Sequence, residues 1–201
     1  MAGVETLILA RHGESELSLR GLTNGDPTRA CGLTDAGREQ ALRLGELLAA
    51  EPIDLCITTA FARTEDTADL ALAGRKVPRL VIPELNDIRF GEYEALSFAD
   101  YLAWARSAAP TEEPPGRGES RARVVDRYVR GFRTVLARPE RRILAILHGL
   151  PIRYVLNALA GRPPQPVLDQ VPYAEAVRVS AAELEEALAA LAEWTAAPVW
   201  R

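Results

Sequence analysis

The sequence predicts an α/β fold: a three-layer α/β/α sandwich with a mostly parallel central sheet and helices on both faces. Three observations carry that prediction. Short apolar runs alternate with stretches whose apolar residues repeat at helical spacing. Two of the runs, residues 6–10 and 143–147, end abruptly in Arg11-His12-Gly13-Glu14 and His148-Gly149. These are the only two histidines in the chain. Read as strands covered on both faces, the two runs each deliver an imidazole at a C-terminal end. That edge is where open α/β sheets bind ligands.

The first strand, 6–10, is followed by 15–32, which holds Gly21, Gly25, Gly32 and Pro27 without apolar period and reads as a loop. Thr34 is an N-cap, and Ala41, Leu44 and Leu48 set a helix over 35–50 that Pro52 ends. Residues 53–58 form the second strand, with the apolar Cys56 inside it. Residues 59–63 turn into a helix that reaches about Ala73 and closes at Gly74. A short strand over 80–82 precedes an acidic loop, 83–94. Ser97 and Asp100 resemble a capping box for a helix to Ser107. Residues 109–118 form a surface loop rich in Pro, Gly and Glu.

Ser120 opens the clearest helix, with Val124, Val125, Tyr128, Val129, Phe132, Val135 and Leu136 in one stripe before Pro139. After strand 143–147, Pro151 suits a first helical turn. Ile152, Val155, Leu156 and Leu159 give that helix its apolar face, and Gly161 and Pro163 stop it. Residues 176–179 alternate as a last strand. Ser180 and Glu183 form a capping box for a helix carrying Leu184, Leu188 and Leu191.

At 201 residues the chain is expected to form a single domain over 1–201, with a helical and loop insertion at about 95–120 covering the site. The net charge of −4 leaves no basic footprint, so a nucleic-acid partner is not expected. No apolar run approaches membrane-spanning length and no N-terminal signal pattern is visible. Cys31 and Cys56 are too few for a disulfide framework. A cytoplasmic setting is therefore expected. Trp194 and Trp200 leave the oligomeric state open, since they can pack on a second copy, as a homodimer, or on the domain itself.

Arg11 adjoins His12, and Arg63 follows the end of the second strand. Two guanidiniums on one spot suit a dianion, because arginine donates in a planar, bidentate fork. The helix after His148 adds the backbone N–H groups of Gly149 and Leu150 at its positive end. Such a pocket fits a phosphoryl group. A neutral imidazole can attack phosphorus, the second, protonated, can stabilise charge on the transferring oxygens, and a carboxylic acid must protonate the leaving alkoxide. The acidic loop is the place to look for that acid. Two histidines and a carboxylate can also suggest a metal site, but Arg11 and Arg63 repel a cation, so neither metal nor cofactor is expected.

Arg11-His12-Gly13-Glu14 resembles the signature of the histidine phosphatase superfamily, the phosphoglycerate mutase-like family. The L-T-x-x-G-x-x-Q-A element appears as Leu33-Thr34, Gly37 and Gln40-Ala41. The arginine-bearing element appears as residues 59–68, with Arg63 in place. The L-x-E-x-x-x-G-x-W-E-G element appears as residues 85–94, the G-G-E-S element as 116–120, and the second-histidine element as His148-Gly149-Leu150-Pro151-Ile152. The matches run from about residue 5 to about 160.

The resemblance implies His12 as nucleophile and Arg11, Arg63 and His148 as phosphate ligands. Asp87 falls where the family has a glutamate acid/base and is about 1.5 Å shorter; Glu84 and Glu92 are the alternatives in the same loop. Ser18 stands where many members have a phosphate-touching asparagine. Glu14 is expected to bond locally.

These residues imply a phosphatase acting on a small phosphomonoester metabolite. A mutase is the second reading. Family mutases carry a longer, basic segment after the acid/base loop, and here that region is short and acidic. A phospho-ligand binding protein with weakened catalysis is the third. The aromatic residues Phe90, Tyr93, Phe98, Tyr101 and Trp104 suit either a pocket for a substrate with carbon bulk or a second core.

Overall fold

Successive side chains of a strand point to opposite faces, and β1 (Thr6–Arg11) is apolar on both. Leu7 and Leu9 join one buried cluster, while Ile8 and Ala10 join another. β4 (Arg142–Leu147) divides the same way, with Ile143, Ala145 and Leu147 on the first face and Leu144 and Ile146 on the second. Continuous apolar strands of this kind need helices on both sides, and the structure supplies them. It is a computed structural model that describes residues 3–200; residues 1, 2 and 201 of the expected domain lie outside the described residues.

The five strands run in the order β3-β2-β4-β1-β5. β2 (Leu55–Thr58), β3 (Arg79–Val81), β4 and β1 are parallel, and β5 (Ala176–Ser180) pairs antiparallel with β1. On the second face lie α2 (Asp35–Leu47) and α3 (Ala62–Ala71), through Leu44 and Ala68. On the first lie α5 (Arg121–Leu136), α6 (Gly149–Leu159) and α7 (Ala181–Ala196), through Phe132, Val155 and Leu188. The three-layer, mostly parallel α/β sandwich expected from the sequence is therefore the observed one.

Several expectations need correction. Residues 15–32 are not wholly a loop: α1 (Glu16–Leu19) forms there, because Ser15 N–H donates to Ser18 Oγ at 2.9 Å and caps the turn. α2 stops at Leu47, and β2 begins at Leu55; Ile53 is buried before the ladder starts. Ser97 caps α4 (Phe98–Ser107) by accepting from the Asp100 N–H, but Asp100 makes no return bond, so the box is half formed. Ser180 and Glu183 form both halves. The acidic loop contains two 3-10 turns, Pro83–Leu85 and Gly91–Tyr93.

The two tryptophans pack on their own chain. Trp194 and Trp200 stack at 5.7 Å, and the Trp200 indole donates to the carbonyl of Ala108 at 2.8 Å. The aromatic group divides. Tyr101 is fully buried with Phe90 against its ring, while Phe90, Phe98 and Tyr101 also line the main cavity. No helix among the described residues is long and apolar enough to cross a membrane.

Candidate active site

Register places the two histidines. Arg11 of β1 is paired with Leu147 of β4, so the next residue of each strand steps off the same edge. The His12 N–H donates to the Leu147 carbonyl at 2.9 Å, and the two imidazole rings lie 5.4 Å apart, edge to face. The third contributor is Arg63, in the first turn of α3, five residues past the end of β2. It is 3% exposed, and its guanidinium reaches four partners. Nε donates to His12 Nε2 at 3.1 Å. Nη2 donates to His148 Nδ1 at 3.1 Å, to the Asn24 carbonyl at 3.0 Å and to Asp87 Oδ2 at 3.3 Å.

These bonds set the tautomers. His12 Nδ1 lies 2.7 Å from the Gly13 carbonyl, which can only accept, so Nδ1 carries the proton and Nε2 the lone pair that accepts from Arg63. His148 Nδ1 accepts from Arg63, so its proton is on Nε2, donated to Thr59 Oγ1 at 2.9 Å. Burial first, then the charges of Arg63 and Arg11, hold His12 well below its ordinary value. Burial, Arg63 and His12 do the same to His148. Both rings are thus neutral with protein groups alone around them. The second imidazole is neutral here because burial first, and the charge of Arg63 next, disfavour its proton.

Asp87 sits in the pocket, its side chain one-fifth exposed, with Oδ2 3.6 Å from His148 Nδ1. Burial raises its carboxyl above the ordinary value, against the opposing pull of Arg63. The loop that carries it is clamped from α5: Arg127 donates to the carbonyls of Glu84 and Asn86 at 2.8 Å and of Asp87 at 3.2 Å. Arg127 is itself fixed by Glu119 at 2.7 Å and 2.8 Å. Glu84 and Glu92 do not line the pocket.

Gly149 and Leu150, at the start of α6, also line it. Arg11 is held by Gln170 Oε1 at 3.1 Å and the Val171 carbonyl at 2.8 Å, and lies over the Tyr173 ring at 3.9 Å. Ser18 is at the wall, but its hydroxyl donates to the Ser15 carbonyl at 2.8 Å and accepts the Ser15 amide. It is therefore committed to capping rather than free to face a phosphate. Glu14 bonds locally, accepting from Thr34 Oγ1 at 2.8 Å. The whole pocket encloses about 640 Å3.

The model of the histidine phosphatase superfamily (branch 1) matches residues 7–196. The chain belongs to the histidine phosphatase superfamily. Among curated relatives, the adenosylcobalamin/alpha-ribazole phosphatase of Salmonella typhimurium is 37% identical over 136 residues, covering 61% of this chain and 64% of that protein. The 2,3-bisphosphoglycerate-dependent phosphoglycerate mutase of a Methylobacterium species is 33% identical, over 77% of this chain and 80% of that protein. The crystal structure of the alpha-ribazole phosphatase from Shigella flexneri matches with a TM-score of 0.69 at 30% identity, covering 79% of this chain and 81% of that one.

Within this superfamily member, sequence reasoning missed Thr59, Asn24, Gln170 and Tyr173, which hold His148, Arg63 and Arg11. Thr59 lay inside the arginine-bearing element and was readable there. The others come from loops that meet the site only after folding.

Proposed function

We propose that this superfamily member is a metal-independent phosphatase that hydrolyses a small phosphomonoester through a covalent phosphohistidine on His12. The observation that carries the reading is the unprotonated Nε2 of His12, which accepts from Arg63 Nε at 3.1 Å in a pocket with a second arginine, Arg11. Arg63 and Arg11 bind the phosphate dianion, with the amides of Gly149 and Leu150 and the His148 ring, which takes a proton on Nδ1 once the dianion is bound, completing the cradle. Entry of phosphate moves the Arg63 N–H from the imidazole to a phosphate oxygen and frees Nε2. Nε2 attacks phosphorus, the phosphorus–oxygen ester bond breaks, and protonated Asp87 gives its proton to the leaving alkoxide. Water then attacks the phosphorus while Asp87 takes a proton from the water, the phosphorus–Nε2 bond breaks with its electron pair returning to His12, and inorganic phosphate leaves. Two guanidiniums in the pocket oppose a divalent cation there. The cytoplasmic setting expected from the sequence is part of this proposal.

The test is phosphate release from p-nitrophenyl phosphate and a panel of metabolite phosphomonoesters, alpha-ribazole phosphate among them, with EDTA present. Turnover that persists in EDTA and is lost in His12→Ala, together with an acid-labile phosphoenzyme in the wild type, supports the reading. Asp87→Asn is expected to lower phosphoenzyme formation by about 100-fold or more with a poor leaving group, and much less with p-nitrophenol. Isomerisation of 3-phosphoglycerate without net phosphate release would make the protein a mutase, the reading that the Methylobacterium relative favours. Phosphate binding with no phosphoenzyme and no turnover would make it a binding protein.

A further inference from the structure

The pocket continues past the phosphate cradle along a wall built by α4, the start of α5 and residues 168–172, where Phe98, Leu102 and Leu168 face it. A cavity of about 640 Å3 is of the size that encloses a drug-sized molecule, far more than a phosphate fills. Arg121 is the buried charged side chain of this wall; Arg153 and the exposed Asp169 also line the pocket. Arg121 is 8% exposed and makes two long bonds to neutral acceptors, Tyr154 Oη at 3.5 Å and the Pro166 carbonyl at 3.3 Å. Its Nε–H has no acceptor among the described residues, and neither does the hydroxyl of Tyr101, over whose ring the guanidinium lies at 5.6 Å.

No described carboxylate lies within ion-pair distance of it, Asp169 of the same pocket included. The other arginines of the first two turns of α5 are paired, Arg123 with Glu113 and Arg127 with Glu119. Arg153, which also lines the pocket, is turned onto the carbonyls of Asp169 and Gln170 at 2.9 Å. Arg121 is also the first residue of α5, at the positive end of a 16-residue helix with no acid in its first turn. A cation there is opposed by the helix dipole, and a buried charge without a partner is costly. A packing role alone would be met by an apolar side chain. A second anion brought by the ligand would meet a positive helix end and an uncompensated guanidinium together.

We propose that Arg121 is a specificity residue that reads an anionic group, a carboxylate, on the alcohol part of the substrate. The preferred substrate is then a phosphomonoester whose alcohol has an apolar body, lying on Phe98, Leu102 and Leu168, and ends in a carboxylate. This deepens the phosphomonoester reading and rests on it for the seating of the phosphoryl group.

The experiment is a binding one, so it does not depend on turnover. Para-substituted phenylphosphonates carry ω-carboxyalkyl chains of graded length, each with its methyl ester as partner, and Kd is measured by calorimetry. In the wild type at least one carboxylate is expected to bind about tenfold or more tightly than its ester. In Arg121→Met that ratio collapses to about one, and Arg121→Lys retains part of it. The ratio is taken within one protein, so a general loosening of the pocket cancels.

Equal binding of acid and ester at every length in the wild type overturns the proposal, whether or not Arg121→Met folds. So does a preference that persists in Arg121→Met, or failure of every phosphonate to bind. Loss of the phosphatase reading is seen separately, as the absence of phosphoenzyme with intact discrimination in binding.

Discussion

Gly13 shows how tightly the site is assembled. Its amide donates to Thr67 Oγ1 at 2.9 Å, and an added Cβ would overlap the carbonyl oxygen of Gly37 at the start of α2. Gly13→Ala is expected to destabilise the protein by about 1–3 kcal/mol, read as a lower urea midpoint, because only backbone is there to give way. Thr59 acts on one proton. Its hydroxyl accepts from His148 Nε2 and lies 3.1 Å from Thr64 Oγ1. Thr59→Val keeps the shape and leaves a buried N–H without an acceptor, at a cost of about 1–3 kcal/mol. With proton placement lost, phosphoenzyme formation is expected to slow while p-nitrophenyl phosphate still binds. Asp87 was readable as a position in a motif. Its working state was not, because burial in the folded pocket is what raises its carboxyl, against the opposing charge of Arg63 and the Ile88 amide. As general acid it acts when protonated, so the phosphorylation rate is expected to fall as pH rises through its raised pKa. Asp87→Asn would remove that limb from a single-turnover pH profile.

At the scale of elements, α5 connects core to chemistry. Its stripe from Val124 to Val135 is fully buried, as its 3.6-residue spacing predicts. On a neighbouring face Arg127 holds three carbonyls of the acid loop and pairs with Glu119, whose side chain is 5% exposed. Arg127→Met breaks a buried pair and unclamps the loop. The expected cost is about 3–5 kcal/mol in urea unfolding, with a rate loss that depends on leaving-group pKa as for Asp87→Asn. A purely structural defect would lower the rate for all leaving groups alike. The sequence marks Arg127 as one more arginine on a polar face; its role exists because α5 and the loop at 83–90 pack together.

For the whole molecule, two buried neutral imidazoles link stability to pH. Both have folded-state pKa values well below the ordinary 6.5, so below that value the unfolded chain binds protons the native state refuses. Their stabilisation is present above about pH 6.5 and is lost as pH falls, by up to about 1.4 kcal/mol per unit for each histidine. Asp87, raised from 3.8, acts in the opposite sense in the range just above that value. The expected outcome is a Tm that drops steadily from pH 7 toward pH 5. Saturating inorganic phosphate would raise the Tm by binding the native state alone, and a flat profile would show that the two rings are solvated.

The sequence by itself determined the sandwich, since apolar runs that are buried on both faces and separated by helical periods leave few other arrangements. It also determined the chemical groups at the strand edge, because strand ends and glycines are local features: Arg11, His12 and His148 are legible as residues. Only the tertiary structure decided which nitrogen of each imidazole holds its proton, that Ser18 is spent on a cap, and that Gln170 and Tyr173 restrain Arg11. Only it placed Arg121 in the cavity wall without a counter-charge. Those outcomes depend on which loops meet which strand edge and on what water is removed there. Hydrogen-bond partners and burial arise between segments far apart in the chain, and no local pattern records them.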